Sequence, residues 1–248
     1  MKIVRLSFLV AILLTLHICS AYADADVPYD INERLEFDIS YFGVIGGTTV
    51  LEVKGINKVG ERDAYHVVST ARTNDFFDKV YRVRDVIETY IDTEKLYSLK
   101  LKINQNEGKS KSRDNIIFDQ ENHKAIHLKK HGRKTVYNMI QRVQDSLSSV
   151  FYVRTRDLKV GEDIVFNTYA SRKSWKLIVK VLKRETVKVA AGTFKTVLVK
   201  PILKYNDVFI NKGDVYIWLS DDDRKIPVKL KSKVIVGAFT AELTKQPY

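Results

Sequence analysis

The sequence predicts an all-β protein, mainly antiparallel: one large curved sheet or half-open barrel with one or two short helices packed on its concave face. Three observations carry this prediction. Apolar residues alternate with polar ones along most of the chain, turn-forming residues punctuate the alternation at hairpin spacing, and only two segments depart from period two. Successive side chains of a strand point to opposite faces, so alternation reads as a sheet with one covered and one wet side.

The elements follow in order. Leu35, Phe37, Ile39 and Tyr41 alternate with Glu36, Asp38 and Ser40 in a strand over 33–42. Gly43 and Gly46-Gly47 turn the chain into 48–57, and Val59-Gly60-Glu61-Arg62-Asp63 turns it into 64–72. Residues 81–91 alternate from Tyr81 to Ile91, and strands over 97–104, 113–119 and 124–129 follow, with 105–112 as an exposed hairpin tip. The later strands are 163–169, 173–183, 194–203, 215–219 and 226–243. Ala191-Gly192-Thr193, Asn211-Lys212-Gly213-Asp214 and Asp221-Asp222-Asp223 provide the turns among them.

The first departure from alternation, residues 74–80, reads as one helical turn capped by Asn74 or Asp75. The second, 145–154, reads as a short helix with Asp145 as N-cap. Its Leu147, Val150 and Phe151 fall at i, i+3 and i+4, a stripe that should pack on the sheet. Gly161 ends the region, and residues 24–248 are expected to form a single domain.

Residues 1–23 have the three-part layout of a secretory signal peptide. Lys2 and Arg5 precede an apolar run over 6–18, and Ala21-Tyr22-Ala23 offers a small-x-small exit with cleavage after Ala23. The run is shorter than the roughly 20 apolar residues of a membrane-spanning helix. Cys19 is the only cysteine, and the preceding Leu16-His17-Ile18 lacks the small residues that precede a lipidated cysteine. The expectation is an exported, periplasmic chain with no disulfide, no thiol nucleophile and no transmembrane segment after the signal.

The formal net charge is +12, to which Lys2 and Arg5 contribute two. An exported basic protein can meet anionic headgroups, lipopolysaccharide phosphates or acidic glycans, whereas export argues against nucleic acid. The basic residues occupy alternate strand positions, consistent with a solvated sheet face.

Catalytic chemistry is sparse. His123 and His127 are four apart, a metal spacing on a helix, but on a strand this places them about 13 Å apart. With Lys124, Lys129, Lys130, Arg133 and Lys134 around them, they read as solvated histidines. Arg224 and Lys225 follow Asp221-Asp222-Asp223 at once, so this cluster reads as a turn and not a calcium loop. No catalytic residue, metal site or cofactor is assigned. The candidate apolar ligand cavity is Phe76, Phe77, Tyr81, Phe151, Tyr152, Trp175 and Trp218, with Arg82, Arg84 and Arg154 as a basic rim for an anionic headgroup.

Four stretches in order resemble the bacterial exported proteins grouped as domain of unknown function 3108. They are the strand and glycine turn over 35–47; Asp145-Ser146-Leu147-Ser148 with Phe151-Tyr152-Val153-Arg154; the run from Ala191 to Val197; and Trp218-Leu219-Ser220-Asp221-Asp222 with Pro227-Val228 and the segment 237–243. The resemblance implies an envelope protein with a large antiparallel sheet, similar to the half-barrel of the periplasmic lipoprotein carriers LolA and LolB. It carries no catalytic residue over.

Three functional classes follow. The leading one is a monomeric, non-enzymatic binding protein for a lipid or lipopolysaccharide-type anionic amphiphile. The second is an envelope scaffold that binds protein partners through its sheet. The third is a hydrolase of glycan or lipid using paired carboxylates among Glu36, Asp38, Asp85 and Glu88.

Overall fold

The computed structural model describes residues 27–246 except 206–207, 211–213 and 234–237, with the side chains of 130 and 208–210 also outside the description. The signal-peptide reading, Cys19, most of the Asn211–Asp214 turn, and Val234, Val236 and Gly237 therefore lie outside the described residues.

The strands are β1 (Arg34–Tyr41), β2 (Val44–Val59), β3 (Arg62–Thr73), β4 (Arg84–Asp92), β5 (Ser98–Glu107), β6 (Ser110–Asp119), β7 (Lys124–Leu128) and β8 (Lys134–Asn138). After these come β9 (Asp163–Ala170), β10 (Lys173–Val189), β11 (Gly192–Tyr205), β12 (Val208–Ile210), β13 (Val215–Ser220), β14 (Pro227–Lys233) and β15 (Ala238–Leu243). Two short helices interrupt them, α1 (Asp75–Asp78) and α2 (Ser148–Arg154).

All fifteen strands belong to one antiparallel sheet, with β8 at one edge, β9 at the other and β1 next to β15 in the middle. The sequence reading treats 226–243 as one strand. It is the hairpin β14–β15, paired from Lys229 with Glu242 to Lys233 with Ala238. The pattern over 81–91 also begins late, because Tyr81 and Arg82 belong to the connection and β4 starts at Arg84. The short β8 has no counterpart in the predicted elements.

The sheet curls because its strands are long and repeatedly bulged. Register shifts occur at Ile39/Ser40, Val53/Gly55, Tyr90/Ile91, Val181/Lys183 and Trp218/Leu219. Each bulge bends its strand and adds twist. At Gly47 the strands approach so closely that a Cβ would lie 2.2 Å from the Arg72 carbonyl oxygen, so only glycine fits. The sheet does not close into a barrel. Instead, residues 139–145 run along the β9 edge, where Gln144 forms a parallel bridge with Thr168. Gln144 N donates to the Asn167 carbonyl and Tyr169 N to the Gln144 carbonyl, both at 2.8 Å. This strip covers an edge that would otherwise expose unpaired backbone groups.

The core lies on the concave face and centres on α2. Leu147 and Phe151 pack with Tyr29, Val53, Tyr65, Val67 and Ile91, and Val150 packs against that cluster. From the other side of the helix, Val153 packs with Phe166, Val179, Val181, Val197, Val199 and Leu219. The predicted Leu147–Val150–Phe151 stripe therefore meets the sheet. Asp145 accepts hydrogen bonds from the Leu147 and Ser148 amides at the turn leading into α2. α1 is different. It has the predicted Asn74 cap, with Asn74 Oδ1 accepting from Phe77 N at 3.0 Å, but buries no residue. Of the two helices, α2 alone packs on the concave face.

Candidate functional site

Antiparallel pairing places the connections at two ends of the curl. One end carries the β2–β3, β4–β5, β6–β7, β10–β11 and β13–β14 turns. The other carries the β1–β2, β3–β4, β5–β6 and β9–β10 connections.

α2 and its leader plug the first end with buried polar groups. Arg154, fully buried, donates two hydrogen bonds to Glu33, at 2.7 and 2.8 Å. It also donates to the carbonyls of Pro28 and Arg224 and lies over the rings of Tyr29 and Phe151. Burial pushes the Tyr29 hydroxyl well above its ordinary pKa. Asp145, equally buried, accepts from the hydroxyls of Thr89 and Ser98 at the ends of β4 and β5. Gln144 reaches the Leu96 carbonyl in the turn between those strands.

The second end is open, and two adjoining concavities enter the sheet there. The first, about 130 Å³, is apolar and lies between Val150 and Val153 of α2 and Leu177, Val179, Val199, Pro201, Ile217 and Leu219 of the sheet. The second, about 410 Å³, is lined by Leu101, Ile103, Ile116, Tyr169 and Arg172, with Asp114 and His127 beside them. Ser146 lines both, so the two adjoin as the halves of a bipartite cleft at the leader of α2. The larger half falls within the size range of small-molecule sites.

The polar side of the cleft is built around His127. Its Nδ1 lies 3.0 Å from Asp114 and its Nε2 lies 3.1 Å from the Tyr169 hydroxyl. Burial pushes that hydroxyl up to about 12. His127 is thus buried, correcting the reading of a solvated histidine; His123 sits exposed in the turn before β7. Above them, Ser171 and Arg172 form the two-residue β9–β10 turn with φ of +51° and +63°. Glycine or asparagine usually supplies such angles, so non-glycine residues here carry strain at the cleft mouth.

A larger concavity, about 1010 Å³, lies on the outer face of β1–β6 and is polar. Arg72 on β3 is directly opposite Arg84 on β4, and Arg113 on β6 is opposite Asn104 on β5. Among the described residues, no carboxylate pairs with Arg72, Lys111 or Arg113. Arg84 is held by Asp78, whose carboxyl stays below its ordinary pKa because Arg84 hydrogen-bonds it.

The aromatic set from the sequence does not converge on the cleft. Phe151 is core, Tyr152 is half-buried beneath Arg156, and Trp175 on β10 meets Tyr205 on β11 with their rings tilted. Trp218 lies on the outer face, donating to Glu185. Phe76 and Phe77 meet edge to face at the open end, whereas the Tyr81 ring lies against Gly108 of the β5–β6 turn. Of the basic residues, Arg82 is exposed at that end and Arg84 is tied to α1. Arg154 is at no rim, because α2 carries it into the plug. The cleft-lining aliphatics share the alternation of the packed core, so periodicity cannot single them out. The carboxylates Glu36, Asp85 and Glu88 are engaged locally with Arg34, the Asn106 amide and His66 respectively.

A curled, unclosed antiparallel sheet with an internal helix defines a β-barrel-like protein of the half-open type. The chain belongs to the DUF3108 family, described as a protein of unknown function, whose model matches residues 36–244. No curated protein matches it in sequence. In structure it is similar to a β-barrel-like protein of domain of unknown function DUF1849 from Brucella abortus. The TM-score is 0.59 at 12% identity, covering 88% of this chain and 98% of the other. A proposed lipoprotein from Parabacteroides distasonis gives a TM-score of 0.38 at 11% identity, covering 88% and 96%. A proposed exported protein with a YmcC-like fold from Bacteroides fragilis gives 0.33 at 12%, covering 88% and 97%. The last two scores are too low to carry an argument. No helix among the described residues is long and apolar enough to cross a membrane.

Proposed function

We propose that this chain is a non-enzymatic binding protein of the cell envelope that takes the apolar part of an anionic amphiphile into the cleft beneath α2. The cleft itself is the observation that carries the reading: aliphatic side chains of β10, β11, β13 and α2 line it without filling it. Empty apolar space forfeits dispersion contacts that an acyl chain would restore. Arg172 stands at the mouth, placed to meet a phosphate or carboxylate headgroup. The signal-like residues 1–23 support an envelope location.

Native mass spectrometry of the protein purified gently from its own envelope tests this, together with displacement of a fluorescent fatty-acyl probe. A co-purifying lipid-sized mass and saturable probe binding are expected. Val150→Trp should fill the cleft and abolish probe binding. Arg172→Glu should weaken anionic probes more than neutral ones. A bare protein mass with no probe binding overturns the proposal.

A further inference from the structure

The open end carries a second feature, independent of the cleft. Three connections from distant parts of the chain are locked into one surface. The Asn74 amide donates to the Gly46 carbonyl at 2.9 Å, and Asn74 Nδ2 donates to the Ile45 carbonyl at 2.9 Å, tying α1 to the β1–β2 hairpin. The Phe77 ring packs over Gly46. The Gly108 amide donates to the Arg82 carbonyl at 2.8 Å, and the Tyr81 ring lies against Gly108, tying the same connection to the β5–β6 turn.

On this rigid surface, large apolar side chains face outward. Phe42, Val44 and Ile45 come from the hairpin; Phe76, Val80 and Tyr81 come from the α1 connection. Phe76 is 70% exposed and Val80 78%. Hydrogen bonds that order a turn and leave its apolar residues in water need another justification, since scattered exposure is normal but a contiguous apolar patch marks an interaction site. Cations border it: Lys79 and Arg82 are exposed on the same connection, Lys109 at the β5–β6 tip, and Arg72 and Lys111 just below on the outer face. Asp75 is the exposed acidic residue of α1, while Asp78 is paired with Arg84.

We propose that this end docks on the surface of an anionic phospholipid bilayer, with Phe42, Phe76 and Val80 entering the headgroup boundary and Lys79 and Arg82 meeting lipid phosphates. Charge complementarity selects this occupant. Aromatic and aliphatic tips within a cationic border match the layered chemistry of a bilayer interface, apolar inside and anionic outside. The tips project from two neighbouring connections at one end, as insertion into a plane requires, and these lie between interior strands of the sheet, so they present no strand edge for a protein partner to extend. Docking there would turn the cleft mouth toward the membrane.

Vesicle flotation tests the proposal with the protein as exported, its N-terminus established by mass. The protein should float with mixed phosphatidylethanolamine–phosphatidylglycerol vesicles and not with phosphatidylcholine alone, and the association should weaken as salt rises from about 0.1 to about 0.5 M. Phe42→Ser combined with Phe76→Ser and Val80→Ser should lose at least about tenfold in vesicle affinity, as should Lys79→Glu with Arg82→Glu. Both variants should keep the wild-type circular dichroism and acyl-probe binding, whereas Val150→Trp should keep vesicle binding and lose the probe. The docking proposal and the cleft proposal can therefore fail separately. Equal flotation with both lipids, or an apolar-tip variant that floats like wild type, overturns the proposal. A wild-type dimer that the apolar-tip variant abolishes would assign the surface to a second copy and overturn it as well.

Discussion

The plugged and open ends of the sheet solve opposite problems with similar residue types. At the plugged end, charged side chains are buried with partners: Arg154 with Glu33, Asp145 with Thr89 and Ser98. At the open end, Phe42, Phe76 and Val80 stand in water while Arg82 is exposed beside them. An arginine here is a core pin in one place and a surface charge in another. The difference is set by whether a carboxylate and backbone carbonyls arrive with it. The contrast teaches that the two ends differ in whether their charged and apolar side chains are buried with partners or left in water.

Glu33→Gln should break that comparison most severely. It leaves Arg154 buried without its counter-charge and should cost about 3–5 kcal/mol, read from the denaturant midpoint. Arg82→Ala at the open end should stay within about 0.5 kcal/mol. Similar losses for the two would remove the asymmetry. Asp145→Ala comes next. Stranding the buried Thr89 and Ser98 hydroxyls and two backbone amides should cost about 2–3 kcal/mol and speed hydrogen exchange in α2. Val150→Trp, aimed at the cleft, should change stability by less than about 1 kcal/mol, because the new ring enters open space.

The smallest effect reverses sign. At the open end, the Glu107 carboxyl is hydrogen-bonded to Asp85 and partly desolvated, and both raise its pKa. A carboxyl raised in the folded state contributes stability below its unfolded value of 4.5, and that contribution is lost as pH rises through the folded value. Glu107→Gln should therefore stabilise the protein at neutral pH by less than about 1 kcal/mol, and the gain should vanish below about pH 4. Thermal melts of both proteins from acid to neutral pH would show it. A destabilised variant at pH 7 would mean that the pair does not repel.

Much of the fold was legible from residue pattern alone. Leu35 and Phe37 alternate into the core, Asn74 caps α1, and Phe151 of α2 packs onto the sheet as its spacing predicts. The 226–243 segment was not, because its apolar residues keep period two from Val228 to Val236 and no glycine interrupts them before Gly237. The cleft was also hidden. Leu177 and Val179 have the same alternation whether they line a cleft or fill a core, and the choice depends on how far α2 sits from them. His127 looked solvated among lysines because its partners, Asp114 and Tyr169, are distant in sequence.

By itself the sequence determined the local terms: strand or helix, which side chains share a face, and the basic surplus. These depend on neighbours two to four residues apart, where propensity and periodicity act. The tertiary structure alone decided that Arg154 would be a core pin and Arg82 a surface charge, and that two separate connections would gather their apolar tips at one end. Those outcomes depend on sheet curvature, accumulated over bulges and strand pairings that join residues as far apart as Tyr41 and Phe239.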